Sequence, residues 1–222
     1  MGQEQLLTQA AETWRINEIQ FDDVLDVGCG LGGGSIFWAQ EYGARVTAVT
    51  IAPSHLYWVK KFAKDAQVDS LVEPLLCDAS EVPGDSCFDV AVAVESSCHF
   101  PRSPWFRRLG SLLRSGGYAL VADYFVNDAN DGESINQHWH AQMGTLGEYR
   151  SAASDAGLYE EIIEDISHST ENFWTTTGAF IRAQAKGKDT SATESSLRMH
   201  AVMRQAMEEG SVRYLLVSFR KH

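Results

Sequence analysis

The stretch Val24-Leu25-Asp26-Val27-Gly28-Cys29-Gly30-Leu31-Gly32-Gly33-Gly34 decides how the chain is read. Apolar, β-branched residues around a lone Asp predict a short buried strand. A glycine run follows at once, and Ser35 to Tyr42 reads as a helix. Strand, glycine turn and helix form the first unit of a doubly wound α/β sheet. Gly28, Gly30 and Gly32 lack side chains, so the backbone can turn sharply and a ligand can lie against it. The helix N-terminus behind the loop offers unpaired N–H groups, and open α/β sheets bind ligands at this edge.

Two ligand classes use such a loop. Gly28, Gly30 and Gly33 satisfy the dinucleotide pattern G-x-G-x-x-G. The stretch also satisfies Asp-x-Gly-x-Gly-x-Gly through Gly28, Gly30 and Gly32, with Asp26 two residues before the first glycine. In that form the stretch resembles motif I of the class I S-adenosylmethionine-dependent methyltransferases. A carboxylate at Asp26 suits a ligand carrying an ammonium and a sulfonium and would repel a pyrophosphate. The segment from Thr47 to Pro53 holds no Asp or Glu to clasp a ribose diol, which also counts against NAD.

Composition bounds the rest. The 222 residues suit one domain, 1–222, with a good core. A net charge of -12 argues against nucleic acid, whose phosphates would repel it. No apolar run is long enough for a membrane helix, and no signal peptide is expected, because residues 1–7 are polar and lack an apolar core. Cys29, Cys77, Cys87 and Cys98 form no Cys-x-x-Cys pair. They read as reduced thiols of a cytoplasmic protein, with no metal site.

Residues 1–20 read as one N-terminal helix with an apolar stripe through Leu6, Leu7, Ala10, Ala11, Trp14 and Ile19. Arg45 to Thr50 is strand two. Val49-Thr50-Ile51-Ala52-Pro53 resembles the Ile-Thr-Leu/Ile-Ser-Pro stretch of tocopherol and sugar O-methyltransferases and cyclopropane synthases, where the Thr serves the ribose. His55 stands where that subgroup has Gln. Ser54 to Gln67 reads as a helix, and Val72 to Leu76 as an edge strand weakened by Pro74. Cys77-Asp78-Ala79 follows, and the resemblance implies Asp78 as acceptor for the adenine amino group; a turn-forming Asp is the plainer reading.

Phe88 to Val94 is a continuous apolar strand, as expected mid-sheet. It ends in Glu95-Ser96-Ser97-Cys98-His99, which resembles the Glu-Ser-x-x-His stretch of sugar and natural-product O-methyltransferases. Pro104 to Arg114 reads as a helix ended by Ser115-Gly116-Gly117, and Tyr118 to Val126 as strand five, with Asp123 near its end. Asn127 to Gly144 reads as a long irregular loop at the ligand edge, with His138 and His140 as solvated loop histidines. A helix from Leu146 to Ala156, a strand from Tyr159 to Ile166, a helix over Asn172 to Ala185, a flexible break at Lys186 to Ser191, a helix over Glu194 to Glu209 and a strand over Val212 to Phe219 complete the chain.

The resemblance implies a Rossmann-like α/β fold: a mostly parallel seven-stranded sheet of order 3-2-1-4-5-7-6 with helices on both faces. Residues 127–145 and 167–205 become candidate substrate-lid segments. It implies S-adenosyl-L-methionine as cofactor, leaving S-adenosyl-L-homocysteine, held by Asp26, Gly28, Cys29, Gly30, Gly32, Thr50, Ile51, Asp78, Ala79 and Glu95. It implies a small-molecule acceptor, with a hydroxyl oxygen expected and nitrogen or carbon left open. His99 is the expected general base and Asp123 its partner. A monomer or homodimer is expected. An NAD-dependent oxidoreductase and a non-methylating relative that keeps the cofactor as scaffold are the rivals.

Overall fold

Seven strands hydrogen-bond in the order β3-β2-β1-β4-β5-β7-β6. They are β1 (Asp23–Val27), β2 (Arg45–Thr50), β3 (Val72–Leu76), β4 (Phe88–Val94), β5 (Leu113–Val126), β6 (Leu158–Asp165) and β7 (Val212–Lys221). The first five run parallel, and β7 pairs antiparallel with both β5 and β6. The computed structural model describes residues 2–170, 172–185 and 191–222. The helices are α1 (Gln3–Thr13), α2 (Gly33–Tyr42), α3 (Pro53–Asp65), α4 (Arg102–Leu112), α5 (Glu133–Trp139), α6 (Leu146–Asp155), α7 (Ser167–Thr170), α8 (Asn172–Ala185) and α9 (Ser191–Glu208).

Alternation along the strands sends side chains to two cores. On β4, Val90 and Val92 join one face with Trp14, Trp38, Val59 and Met203. Ala91 and Ala93 join the other with Trp105, Phe106, Leu109 and Tyr149. The expected sheet order and helices on both faces are therefore found. Pro74 sits in β3, the edge strand, where a missing N–H costs least.

Several boundaries differ from expectation, each for a local reason. The helix expected over 1–20 stops at Thr13, because Arg15 adopts a left-handed backbone at φ 54. This turn lets Trp14 and Ile16, which one straight helix would splay apart, both bury fully. Ser115-Gly116-Gly117 does not end α4; it lies inside β5, where the register against β4 jumps from Phe88↔Leu113 to Val90↔Tyr118. The extra residues bulge out, with Gly116 at φ 79. The irregular loop expected at Asn127 to Gly144 contains α5, whose Ile135 is buried. His138 accordingly sits on a helix, edge-on to Trp139, and His140 ends it. Apart from Ser191, which begins α9, the break expected at Lys186 to Ser191 lies outside the described residues.

Candidate active site

β1, β2 and β3 end in register, with Val27 opposite Val49 and Thr50 opposite Leu76. The residues that follow them therefore emerge along one edge of the sheet. After β1 the chain turns through Gly28 at φ 77, where an added Cβ would stand 2.5 Å from the Ser96 Cβ. No other residue type fits that approach. Ser96 Oγ in turn donates to the Val27 carbonyl at 2.7 Å, tying the ends of β1 and β4 together.

A cavity of about 550 Å³ opens beside this turn. Asp26, Gly28, Cys29, Gly30 and Glu95 line it, as do Gln3 and Leu7 of α1. Asp26 is buried and accepts a 2.5 Å hydrogen bond from the Ser35 hydroxyl on α2. Burial pushes its carboxyl up to about 6, against the pull of Ser35. A carboxylate buried without a cation is disfavoured, so the site favours a ligand that brings positive charge. Burial likewise pushes the Cys29 thiol up to about 12, leaving it protonated and unreactive.

The other expected cofactor residues lie on the same edge, outside this cavity's wall. Gly32 starts α2 at φ 91, packed against Val59. Thr50 Oγ1 accepts from the Ala52 N–H at 3.1 Å and lies 3.3 Å from His55 Nδ1. Ile51 is 75% exposed beyond it. Asp78 is exposed, and its Oδ1 accepts from both the N–H and the hydroxyl of Ser80, which holds its pKa below the ordinary value; Ala79 is buried. That is the geometry of a turn-forming Asp.

A second cavity, of about 250 Å³, lies past the end of β4. Its walls are almost wholly apolar: Ile135, Met143 and Met203 with the rings of Tyr124, Trp139, Phe173 and Trp174. His99 and Asp123 both line it, so the two expected catalytic residues do meet at one site. They do not form a pair, however. Asp123 is fully buried, and its carboxylate accepts from the Ser97 hydroxyl at 2.7 Å, the Cys98 N–H at 2.9 Å and the Tyr124 N–H at 2.8 Å. Ser97 Oγ is also 2.9 Å from the Tyr149 hydroxyl on α6. Asp123 thus braces the short helical turn Ser97–His99 that carries His99.

Glu95 joins the sites. It lines both cavities and a third, of about 220 Å³, between α1 and Phe173. Its backbone is left-handed, at φ 52, a conformation disfavoured for a residue with a Cβ. Glu95 is an exposed residue, yet nearby protein partly desolvates its carboxyl and raises it, and the neighbouring Asp123 charge raises it further.

Gln3, Leu7 and Phe62 at the first cavity and the Ser97–Tyr149 link at the second belong to no motif in the sequence. The stripe on α1 was visible, but which side of it faces a cavity is set by packing.

The sheet order is that of the class I S-adenosylmethionine-dependent methyltransferases, and the glycine turn falls in a stretch that matches a methyltransferase family. Residues 24–117, which include the glycine turn and Glu95, match the protein family described as "Methyltransferase domain". Over 163 residues the chain is 32% identical to the 27-O-demethylrifamycin SV methyltransferase of Amycolatopsis mediterranei, covering 69% of this chain and 60% of that protein. Over 151 residues it is 32% identical to the sarcosine/dimethylglycine N-methyltransferase of Halorhodospira halochloris, covering 65% of this chain and 54% of that one. The chain thus spans between half and two thirds of the length of these relatives. Its fold is also that of the geranyl diphosphate C-methyltransferase from Streptomyces coelicolor A3(2), solved with S-adenosyl-L-homocysteine: TM-score 0.79 at 20% identity, over 97% of this chain and 80% of that one.

Proposed function

We propose that this chain transfers the methyl group of S-adenosylmethionine to a small-molecule acceptor seated in the aromatic cavity. One observation carries the reading: Glu95 belongs to the walls of both the glycine-turn cavity and the aromatic cavity. A donor whose methionyl end lies by Asp26 and Gly28 then has its reactive end beside the acceptor. The relatives' names, which include O- and N-methyltransferases of small molecules, support the class of substrate.

The chemistry asks little of the protein besides position. The acceptor's lone pair attacks the methyl carbon in line with the carbon–sulfur bond, and the sulfonium becomes a neutral thioether. Holding the two in line and keeping water away are the main contributions. Apolar walls of Ile135, Met143, Trp139 and Trp174 offer water few partners beside the reacting atoms. An acceptor that starts as a hydroxyl or an ammonium must also lose a proton. His99, on the cavity wall, is the group to take it. Asp123 acts through the Ser97–His99 turn as a positioning residue. Thr50, Ile51 and Asp78 serve the adenosine, once Asp78 turns from Ser80.

The proposed setting is the cytoplasm, in line with four free thiols. Among the described residues no helix is long and apolar enough to cross a membrane.

Calorimetry with S-adenosylmethionine, S-adenosylhomocysteine and NAD tests the donor assignment, with affinity expected for the first two alone. Methyl transfer to a panel of small hydroxyl and amine compounds tests the reaction. A His99→Ala protein is expected to turn over about 10²–10⁴-fold more slowly with S-adenosylhomocysteine affinity retained. Near-normal turnover of that variant would remove His99 from the mechanism.

A further inference from the structure

Three carboxylates, Asp26, Glu95 and Asp123, line the joined cavities, and among the described residues no lysine or arginine lines them. Asp26 stands at the glycine turn, where the proposed donor's ammonium answers it. Asp123 is satisfied by three hydrogen-bond donors. Glu95 is different. Among the described residues its carboxylate accepts one hydrogen bond, from the Tyr214 hydroxyl at 3.5 Å, the limit of such a contact. A strained backbone thus presents a nearly unpartnered carboxylate to an apolar chamber. Glu95 itself stays exposed, so its carboxylate is open to an arriving ligand of opposite charge.

The chamber's other walls suit the same ligand. Trp174 lies 5.5 Å, centroid to centroid, from both Tyr124 and Trp139, and Phe173 adjoins it. These rings come from β5, α5 and α8, and all line the cavity that Glu95 enters. Aromatic rings attract alkylammonium groups through their negative faces, more strongly where water is excluded. Rings and a weakly bonded carboxylate lining one cavity make a receptor for a cation with an apolar body.

We propose that the methyl acceptor is an alkylated amine, bound as its ammonium between Glu95 and the rings of Tyr124, Trp139 and Trp174. The proposal rests on the methyl-transfer reading and sets nitrogen in place of the hydroxyl oxygen expected from sequence. In the balanced step, the ammonium first gives its N–H proton to His99. The freed nitrogen lone pair then forms the N–C bond to the methyl carbon as the C–S bond breaks, and that electron pair stays on sulfur. Positive charge passes from sulfur to nitrogen, so the product remains an ammonium facing Glu95.

The test uses two isosteric probes that differ only in charge: (2-hydroxyethyl)trimethylammonium and 3,3-dimethylbutan-1-ol. Their affinities are read by calorimetry and by Trp139 and Trp174 fluorescence on protein saturated with S-adenosylhomocysteine, which lacks the sulfonium. The ammonium is expected to bind about tenfold or more tightly than the alcohol. That ratio is expected to fall to within about twofold in Glu95→Gln and, separately, to shrink in Trp174→Leu. A ratio needs only the folded fraction to report, so partial misfolding of a variant does not blur it. Equal affinities in the wild type, no measurable ammonium binding, or a ratio that survives Glu95→Gln overturns the proposal. Tighter binding of S-adenosylmethionine than of its homocysteine product, without probe selectivity, would assign Glu95 to the sulfonium instead. Failure of both S-adenosyl compounds to bind would overturn the methyl-transfer reading, and the proposal with it.

Discussion

Asp26 ties donor binding to pH in a way that can be worked through. In the unliganded protein its carboxyl is pushed up to about 6 by burial, with the Ser35 hydroxyl opposing. A donor ammonium beside it would return it toward the ordinary value of about 3.9. Binding then releases a proton wherever the pH lies between those two values. Affinity rises with pH through that window and levels off above it. Between about pH 5 and pH 7 the gain is roughly ninefold, or about 1.3 kcal/mol, with about 0.8 proton released per donor at pH 5. The unliganded fold has the opposite slope. A carboxyl raised above its unfolded value contributes stability in its protonated form, and that contribution is lost as pH rises from about 4 to 6. Titration calorimetry with S-adenosylhomocysteine, repeated in buffers of different ionisation heat, measures affinity and proton release together. Asp26→Asn keeps an acceptor for Ser35 and removes the titration, so its affinity is expected to be weaker at pH 7 and nearly flat with pH. A flat wild-type profile, or the same slope in Asp26→Asn, would refute the placement of Asp26 at the donor's ammonium.

Other expectations follow from single contacts. Asp123→Ala strands the Ser97 hydroxyl and the Cys98 and Tyr124 N–H groups in the core and is expected to cost about 2–5 kcal/mol in denaturant unfolding. A loss of turnover with unchanged stability would restore Asp123 as a simple partner of His99. Tyr149→Phe removes the hydroxyl beside Ser97 and keeps the ring, so a loss of about 1 kcal/mol is expected, with a lowered kcat and a KM held steady; full activity would break the proposed link to His99. Gly28→Ala drives a Cβ to 2.5 Å from Ser96 at a positive φ, a cost of about 2–5 kcal/mol; a thermal melt matching wild type would contradict the close approach. Asp78→Ala is expected to lose discrimination between adenosyl and inosyl forms of the product, and equal affinities in the wild type would deny Asp78 that role.

The sequence by itself determined the parts whose signals are local. The apolar run before Gly28, the glycines after it and the helix behind them are neighbours in the chain, and their periodicity and backbone demands state the unit directly. Pro74 marks an edge strand for the same reason: the missing N–H is a property of one residue. The order 3-2-1-4-5-7-6 came through resemblance, and the pairing realises it. Tertiary structure alone decided what required distant residues to meet. Leu113 to Gly117 carry helix-ending glycines, yet pairing with β4 turns them into a bulged strand start. His99 and Asp123 follow neighbouring strands, as expected, but the carboxylate is claimed by three nearer donors before the histidine can reach it. The aromatics Trp139, Phe173 and Trp174 suggest a flat or apolar acceptor from sequence, but only the fold brings them to one cavity with Glu95 and Tyr124. Side-chain direction and burial depend on which helices pack over the sheet edge, and that packing is a property of the whole chain rather than of any stretch of it.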